Sequence, residues 1–211
     1  MGRKPLYDEN TLLDAAVQLV REGGPAAVTM SAVARGAGAP SGSVYHRFAE
    51  RPQLLGALWL RSLTRFHEVF LGAIEGGDAR EGLVRGARAV VAWCGDHRGD
   101  AEILSFGPES FGYSDWDRQA RAALDEANER LVEGLRRAGE RMGAVTKRDF
   151  EGITIAVVDV PYASVRRYLR GDAPMPDYVA DLVAVAASAM LGEVAGENSR
   201  ASTGESEEEL S

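Results

Sequence analysis

The sequence has few of the residues that build disulfides or metal sites. Its 211 residues include one cysteine, Cys94, and three histidines. A single thiol excludes an intramolecular disulfide framework and a multi-cysteine zinc site, and it is typical of a reducing compartment. We therefore expect a cytoplasmic protein without a metal centre, and no motif implies a cofactor.

Long apolar runs are equally scarce. The most apolar stretch, residues 153–163, is 11 residues long and contains Asp159, whereas a helix that spans a bilayer needs about 20 apolar residues. The N-terminus has no apolar core of the kind found in secretion signals. We expect no membrane span.

Basic charge is in short supply as well. Lys and Arg number 24 against 32 Asp and Glu, for a formal net charge of −8. This balance excludes nucleic-acid binding through overall basicity. The charge is uneven, because residues 1–52 carry a net +1 whereas residues 193–211 carry −5. Any nucleic-acid surface is therefore expected in the first quarter of the chain.

Apolar residues recur at spacings of three and four along the whole chain, and strand-type alternation is missing. This pattern predicts an all-α protein. Glycine and proline divide the chain into helices, with an irregular segment at 99–115. The predicted helices cover residues 8–23, 30–37, 42–48, 52–75, 79–97, 116–142, 148–170 and 177–194.

Two of these helices are too short to be stable alone and form a helix-turn-helix pattern. Thr29 and Ser41 stand where their oxygens can cap the two helix N-termini, and Gly38 provides the permissive backbone of a tight turn. Short side chains at the start of the second helix allow its backbone to approach DNA in the major groove. The pattern predicts a DNA-binding domain at residues 1–50.

The stretch Ala37–Phe48 reads Ala-Gly-x-x-x-Gly-Ser-x-Tyr-x-x-Phe. With the amphipathic helix before it and Arg51-Pro52-Gln53-Leu54-Leu55 after it, this stretch resembles the TetR family of bacterial transcriptional regulators over residues 8–58. The remaining three quarters of the chain is similar only in being helical and of suitable length. The resemblance implies an N-terminal three-helix DNA-binding domain joined by a long helix to a C-terminal helical domain.

The resemblance also implies which residues face DNA. Thr29 and Tyr45 are expected to bind phosphates, and Arg51 is expected to anchor the backbone at the start of the fourth helix. Positions at or near base edges, or facing DNA from the preceding helix, are Ser41, Gly42, Ser43, Arg47 and Ser31. Many relatives carry lysine where Gly42 stands, so we expect Arg3 and Lys4, on an N-terminal arm, to add phosphate contacts.

Several of these roles have a plainer alternative. A large ring at Tyr45 has little structural purpose on a short helix, which favours phosphate contact. For Arg47, a contact in the groove and a position on the solvated surface are equally favoured. His46 either binds a phosphate or covers the helix end. Arg3 and Lys4 form either the arm or an ordinary solubilising terminus.

By the same resemblance, residues 51–195 form a ligand-binding and dimerisation domain, and the polar residues 196–211 are expected to be disordered. The homodimer is expected to use the helices at 148–170 and 177–194. It would bind a palindromic operator in double-stranded DNA and leave it when a small-molecule effector binds. Repression is the commoner mode in the family, and activation stays open.

Aromatic residues mixed with helix breakers between Phe106 and Trp116 suit the wall of an effector pocket. The alternative is a loop anchored by its own aromatic rings, and Trp93 either lines the same pocket or is core. The predicted ligand-binding residues are Trp93, Phe106, Phe111, Tyr113, Trp116, Asp159 and Tyr162.

Asp159 lies among apolar residues, where a carboxylate needs a partner. It binds a polar group of the effector together with Tyr162, or it pairs with an arginine such as Arg88, or it lies at a helix-pair interface. The structural alternatives are slightly favoured over the effector.

An enzyme and a DNA-free adaptor are the rival function classes. The chain has no nucleophile motif, phosphate loop or metal-ligand spacing. The pair Gly36 and Gly38 is no dinucleotide fingerprint, because Ser41 replaces the third glycine and no strand precedes it. We expect no catalytic residue, and Tyr45 and Arg47 disfavour the adaptor.

Overall fold

The computed structural model describes residues 7–171 and 174–208. All regular structure in these residues is helical, which confirms the all-α prediction, and none of their helices is long and apolar enough to cross a membrane. Of these residues, unit 1 of the fold contains 7–65 and 97–127, and unit 2 contains 66–96, 128–171 and 174–208. The α-helices are α1 (Glu9–Gly23), α2 (Met30–Gly36), α3 (Ser41–Arg47), α4 (Arg51–Ile74), α5 (Ala79–Asp96), α6 (Arg98–Ser105), α7 (Arg118–Met142), α8 (Lys147–Thr154), α9 (Val160–Leu169) and α10 (Tyr178–Glu208).

Helix α1 begins and ends close to where the sequence predicts. The Asp8 carboxylate accepts a hydrogen bond of 2.9 Å from the backbone N–H of Thr11, which satisfies one of the free donors at the helix N-terminus. Gly24 follows the last turn with a φ of 70°, a conformation that favours glycine. The buried face of α1 lies in the core of unit 1 and consists of Leu12, Leu13, Ala16, Val17 and Val20.

Helices α2 and α3 form the predicted helix-turn-helix. Thr29 Oγ1 accepts a hydrogen bond of 3.1 Å from the N–H of Ala32, which confirms the predicted cap of α2. Gly38 turns the chain with a φ of 63°. Val33 and Val44 are both 0% exposed. Because helices of seven residues are marginal alone, this shared core stabilises them.

The predicted cap at Ser41 is wrong. Pro40 is the residue at the cap position of α3, no side chain bonds to the start of that helix, and Ser41 is its first helical residue. The proline ring holds φ at −57°, close to the helical value, so the chain enters the helix at the next residue. The Ser41 side chain is therefore left exposed to solvent.

An additional helix, α6, lies in the segment that the sequence predicts to be irregular. Beyond α6 the chain forms two short 3₁₀ turns, Pro108–Phe111 and Tyr113–Asp115. Gly107 and Gly112, with φ values of 75° and 70°, lie at the start of each turn. The irregular part is thus limited to the residues after α6.

Residues distant in sequence hold α6 in unit 1. The buried carboxylate of Asp100 accepts hydrogen bonds from Ser62 Oγ at 2.6 Å and from Arg65 Nη1 at 3.2 Å. Gly99 lies so close to α1 that a Cβ there would be 2.5 Å from Val17 Cγ1. Both contacts are non-local, which explains why the sequence pattern of α6 does not predict it.

In unit 2, the predicted helix at 148–170 is interrupted by one wide turn. The segment Ile155–Asp159 is a π-helix in which the N–H of Val160 donates to the carbonyl of Ile155. Pro161 has no N–H for the carbonyl of Val157. The wide turn just before the proline accommodates this missing bond, and α8 and α9 continue on either side.

Helices α5 and α10 pack against each other in unit 2. Arg80 of α5 donates from Nη2 to the backbone carbonyl of Ser188 at 2.7 Å. Gly192, one turn further along α10, leaves room for this guanidinium, because a Cβ there would be 3.1 Å from Nη2. The buried residues of this pair include Leu83, Ala87, Val183, Ala187 and Leu191.

Two boundaries bear on the domains expected from sequence. Helix α10 is assigned as Tyr178–Glu208, and the disorder expected from residue 196 stays a prediction. Unit 1 extends beyond residue 50, because Leu54, Leu55 and Leu58 of α4 are buried in the same core as α1 to α3.

Candidate nucleic-acid interface

Eight of the predicted DNA-facing residues lie at the start of α2 and along α3. Seven of these eight are exposed, and Ser43 is half-buried. Tyr45 is 57% exposed, whereas its neighbour Val44 is 0% exposed, so α3 turns its apolar side inward and Tyr45 outward. We call this set the recognition surface: Thr29, Ser31, Ser41, Gly42, Ser43, Tyr45, His46 and Arg47. The predicted arm residues Arg3 and Lys4 lie outside the described residues.

Two hydroxyl groups form one end of the recognition surface. Thr29 Oγ1 lies 3.3 Å from Ser31 Oγ and also accepts from the N–H of Ala32. Each hydroxyl has one proton to donate. The bond between the two uses one proton, so the other is available for a phosphate oxygen.

An acidic side chain of α1 holds Arg47 at the edge of the recognition surface. Arg47 Nη1 lies 3.8 Å from Glu9 Oε2, and the two side chains are 45% and 48% exposed. An exposed pair of this kind contributes only about 0–1 kcal/mol, so DNA can displace Glu9. Sequence reasoning missed Glu9, since nothing near it in the chain indicates a contact with α3.

Arg51 positions the helix-turn-helix. Its Nε donates to the carbonyl of Val28 at 2.7 Å, and its Nη2 donates to the carbonyl of Pro25 at 2.9 Å. These bonds tie the start of α4 to the segment before α2. A second bond at this end joins Gln53 Oε1 to the N–H of Ala49 at 2.7 Å. Only the remaining donors of the guanidinium are available for the DNA contact predicted for Arg51.

In unit 1, the structure brings four of the predicted ligand-binding aromatic residues together. Phe111 and Trp116 are 0% and 1% exposed, and the indole N–H of Trp116 donates to the carbonyl of Phe111 at 2.9 Å. The Tyr113 ring lies 5.4 Å from that of Trp116, and the Phe106 ring lies 6.4 Å from that of Phe111. Only Phe106, at 47% exposed, faces largely outward. This geometry favours the alternative of a loop anchored by its own rings.

The other three predicted ligand-binding residues belong to unit 2. Trp93 is 3% exposed, with its ring 5.2 Å from that of Phe66, and Tyr162 is 38% exposed. The expected burial of Asp159 is wrong, since its side chain is exposed. The apolar neighbours of Asp159 in sequence face the core from the other side of the helix. Arg88 is not its partner, because Arg88 pairs with Asp181.

Unit 2 also has a cleft of about 640 Å³ between the start of α5 and the middle of α10. None of the predicted ligand-binding residues lines it. Effector pockets are mostly apolar, whereas the lining here is largely charged: Asp78, Arg80, Glu81, Val84, Arg85 and Ser188. The cleft therefore does not suit the apolar effector expected from sequence.

Among the described residues, no group of three or more His, Cys, Asp or Glu side chains could hold a metal ion. Cys94 is buried, and burial raises the pKa of its thiol to about 12. The thiol therefore stays protonated at neutral pH, in the form that is a poor nucleophile.

Two buried side chains of α4 carry donors without an acceptor among the described residues: Trp59 Nε1, and Nε and Nη2 of Arg61. Arg61 Nη1 does bind Asp14 Oδ1, at 2.8 Å. Burial lowers the pKa of the Arg61 guanidinium, and the nearby charge of Arg65 lowers it further. Sequence reasoning placed Trp59 on an apolar face and did not single out Arg61. Buried donors of this kind need water or another polar group as a partner.

The helix-turn-helix has a counterpart among known protein families. Residues 12–58 match the sequence model of the bacterial regulatory proteins, tetR family. This range holds most of α1, all of α2 and α3, and the first part of α4, so it contains the whole recognition surface. No curated protein matches the chain.

Solved structures share the fold over most of the chain. A TetR-like transcriptional regulator from Rhodococcus sp. RHA1 is 26% identical, with a TM-score of 0.64 over 88% of this chain and 96% of that chain. A TetR family transcription regulator from Marinobacter aquaeolei VT8 is 20% identical, with a TM-score of 0.67 over 86% and 94%.

The transcriptional regulator FadR from Bacillus subtilis, solved in complex with stearoyl-CoA, has a TM-score of 0.64 at 16% identity over 87% of this chain and 98% of that chain. The Marinobacter and Bacillus proteins, at these identities, show the fold alone. The family match at the recognition surface and the shared fold together confirm the resemblance. Residues 12–58 thus have the helix-turn-helix of the bacterial regulatory proteins, tetR family, and the chain resembles TetR-like transcriptional regulators in fold.

Proposed function

We propose that this regulator is a repressor that binds a roughly palindromic operator as a homodimer and leaves it when a small-molecule effector binds. The observation that carries the proposal is the recognition surface, where α3 exposes Tyr45 and short polar side chains above a buried apolar side. In a two-fold dimer, two copies of α3 read major grooves about one helical turn of DNA apart. The protein performs no catalysis in this proposal.

Each part of the recognition surface has a distinct task. Tyr45 and the hydroxyls of Thr29 and Ser31 bind phosphates, which fixes the register on DNA. Gly42 lets the backbone of α3 approach the groove, and Arg47 reaches a base edge once DNA displaces Glu9.

Helix α6 provides a route by which an effector acts on the recognition surface. It is joined to α4 through Asp100 and Ser62, and to α1 by an ion pair of 3.4 Å between Glu102 Oε2 and Arg21 Nε. A displacement of α6 therefore acts on both helices that support α2 and α3. The effector shifts the equilibrium only by its difference in affinity for the two conformations.

Long-chain acyl-CoA is the first effector class to test. The FadR structure from Bacillus subtilis contains stearoyl-CoA, and an acyl chain agrees with the mostly apolar effector expected from sequence, although the structure buries Phe111 and Trp116 in the core of unit 1. An effector of this class should release the operator at micromolar concentration or below, whereas free CoA should not.

Tyr45 tests the DNA-binding proposal. We expect Tyr45→Ala to weaken binding to the promoter DNA beside the regulator's own gene by on the order of 1–3 kcal/mol, because a phosphate contact is lost. Tyr45→Phe is the matched control that removes only the hydroxyl. Gel shift and footprinting at several salt concentrations measure both variants.

The proposed phosphate contacts also require the affinity for the operator to fall steeply as the salt concentration rises, because such contacts release counterions from DNA. A complex insensitive to salt, or full affinity in Tyr45→Ala, contradicts the assignment of the recognition surface. The folded state should be unaffected, because Tyr45 is mostly exposed.

A further inference from the structure

Exposed apolar side chains are concentrated on the last helices of unit 2. Ten large apolar residues are exposed in the part of the chain that the structure describes, and five of them belong to α9 with its preceding π turn or to α10. These five are Ile155, Tyr162, Tyr178, Leu182 and Val185. Clustered exposure of this kind marks an interaction surface.

The five residues form two stripes with helical spacing. On α10, Tyr178, Leu182 and Val185 follow one another at intervals of four and three. The stripe that runs into α9 has Ile155 and Tyr162 in the same kind of register. Residues at such spacings lie on one face of a helix.

Two opposite charges interrupt the α9 stripe. Asp159 follows Ile155 by four residues, and Arg166 follows Tyr162 by four, and both side chains are exposed. Neither has a hydrogen bond or ion pair with any residue that the structure describes. They lie about 10 Å apart along the helix axis, at a rise of ~1.5 Å per residue, and so do not reach each other within one chain. A charge covered by an apolar partner surface requires an opposite charge on that surface.

We propose that a second copy of this chain covers the α9 stripe with Asp159 of each copy paired to Arg166 of the other. A two-fold axis exchanges the partners, so two equivalent ion pairs form. The axis then passes between the charges, beside Tyr162 and the small exposed Ala163. Glu151, an exposed charge near the start of this stripe, has Lys147 at 3.5 Å, and Arg88 beside α10 pairs with Asp181.

This pairing rests on the proposed homodimer and adds a determinant of which chains associate. Apolar stripes alone would accept many related partners, whereas two reciprocal charge pairs fix the register and reject a partner with a like charge. The two residues thus act as specificity determinants for self-association.

Charge reversal in the full-length chain tests the pairing. In Asp159→Arg, each copy presents two arginines, and in Arg166→Asp each copy presents two aspartates. Each variant alone is expected to dimerise about tenfold more weakly or worse, because both pairs become like-charged. A mixture of the two variants restores both opposite pairs and should form heterodimers in preference to either homodimer. The double variant should dimerise like the wild type.

Sedimentation velocity measures the dimer dissociation constants, and native mass spectrometry of differently tagged copies measures the heterodimer fraction. Arg167→Asp is the matched control, since Arg167 is exposed one residue beyond the stripe and bonds Tyr168. Circular dichroism checks that every variant folds, which we expect because both positions are exposed.

The pairing is overturned if the two variants mix in statistical proportions, if the double variant stays weak, or if Arg167→Asp acts like Arg166→Asp. A wild-type chain that is monomeric at micromolar concentration also overturns it. Operator binding is measured separately by gel shift. A dimer whose stability does not depend on these two charges therefore contradicts the pairing without contradicting the proposed repressor.

Discussion

Unit 1 leaves two large apolar side chains exposed among the described residues, Tyr45 and Phe106, whereas unit 2 leaves eight. The two units also differ at individual polar groups. In unit 1 the carboxylate of Asp100 and the hydroxyl of Ser62 are buried and bonded to each other, while in unit 2 Asp159 and Arg166 lie exposed without partners within the described part of the chain.

The difference indicates whether each unit covers its apolar surface by itself or needs a second chain to cover it. Unit 1 buries most of its large apolar side chains and pairs Asp100 with Ser62, although Trp59 and Arg61 keep buried donors without an acceptor among the described residues. It presents the Tyr45 ring on its recognition surface. Unit 2 leaves an apolar face that a second chain is expected to cover. Substitutions in unit 1 should therefore change stability or DNA affinity, and substitutions on the α9 stripe should change association.

The largest effect is expected in the aromatic core of unit 1. Phe111→Ala should reduce the free energy of unfolding by roughly 3–5 kcal/mol, because a fully buried ring leaves a cavity. Phe106→Ala is the matched control, and it should change stability by about 1 kcal/mol or less since that ring is 47% exposed. Urea denaturation measures both variants.

Operator titration with stearoyl-CoA separates core packing from effector binding at Phe111. A destabilised variant with an unchanged response removes Phe111 from the effector site. A variant of normal stability whose response is lost would show instead that the ring lines the site, and unit 1 would not be the closed unit described above.

Asp100 should give the next largest effect. We expect Asp100→Ala to lower the free energy of unfolding by about 2–3 kcal/mol, because Ser62 keeps only its longer bond to the carbonyl of Leu58 and Arg65 loses its ion pair. Asp125→Ala, at an exposed position of α7, serves as the control and should stay within about 0.5 kcal/mol of the wild type. Equal stabilities of the two variants would show that α6 is not held through Asp100.

The smallest effect is expected at Glu9. Glu9→Gln should tighten operator binding by up to about 1 kcal/mol, or roughly fivefold, because Arg47 no longer has a competing carboxylate. Glu50→Gln makes the same change in net charge within unit 1 and distinguishes release of Arg47 from general repulsion of DNA. A gel shift in which both variants tighten equally would assign the effect to net charge alone.

The features that sequence predicts correctly depend on local interactions. The cap at Asp8, the cap at Thr29 and the turn at Gly38 each involve residues within three positions of one another, so their residue types suffice. The apolar spacing of α1 and α4 likewise reflects one continuous buried face. These features place the recognition surface before any coordinates are considered.

The features that sequence misses depend on distant partners or on which side of a helix faces inward. Helix α6 is held by Ser62 and Arg65 and lies close to Val17, and half of its own residues are polar or charged. Asp159 has apolar neighbours in sequence, yet Ala156 and Val157 face the core while Asp159 does not. Arg51 looks like a DNA contact, although two of its donors bind carbonyls more than twenty residues earlier.

The two carbonyl bonds from Arg51 join the start of α4 to the backbone of the segment before α2. The acceptors are backbone atoms of Val28 and Pro25, so side-chain substitutions at those two residues leave the acceptors in place, whereas a substitution of Arg51 removes both bonds. Within unit 1, these bonds and the buried leucines of α4 join that helix to the helices before it. We therefore expect a displacement of the unit 1 part of α4 to move α2 and α3 with it.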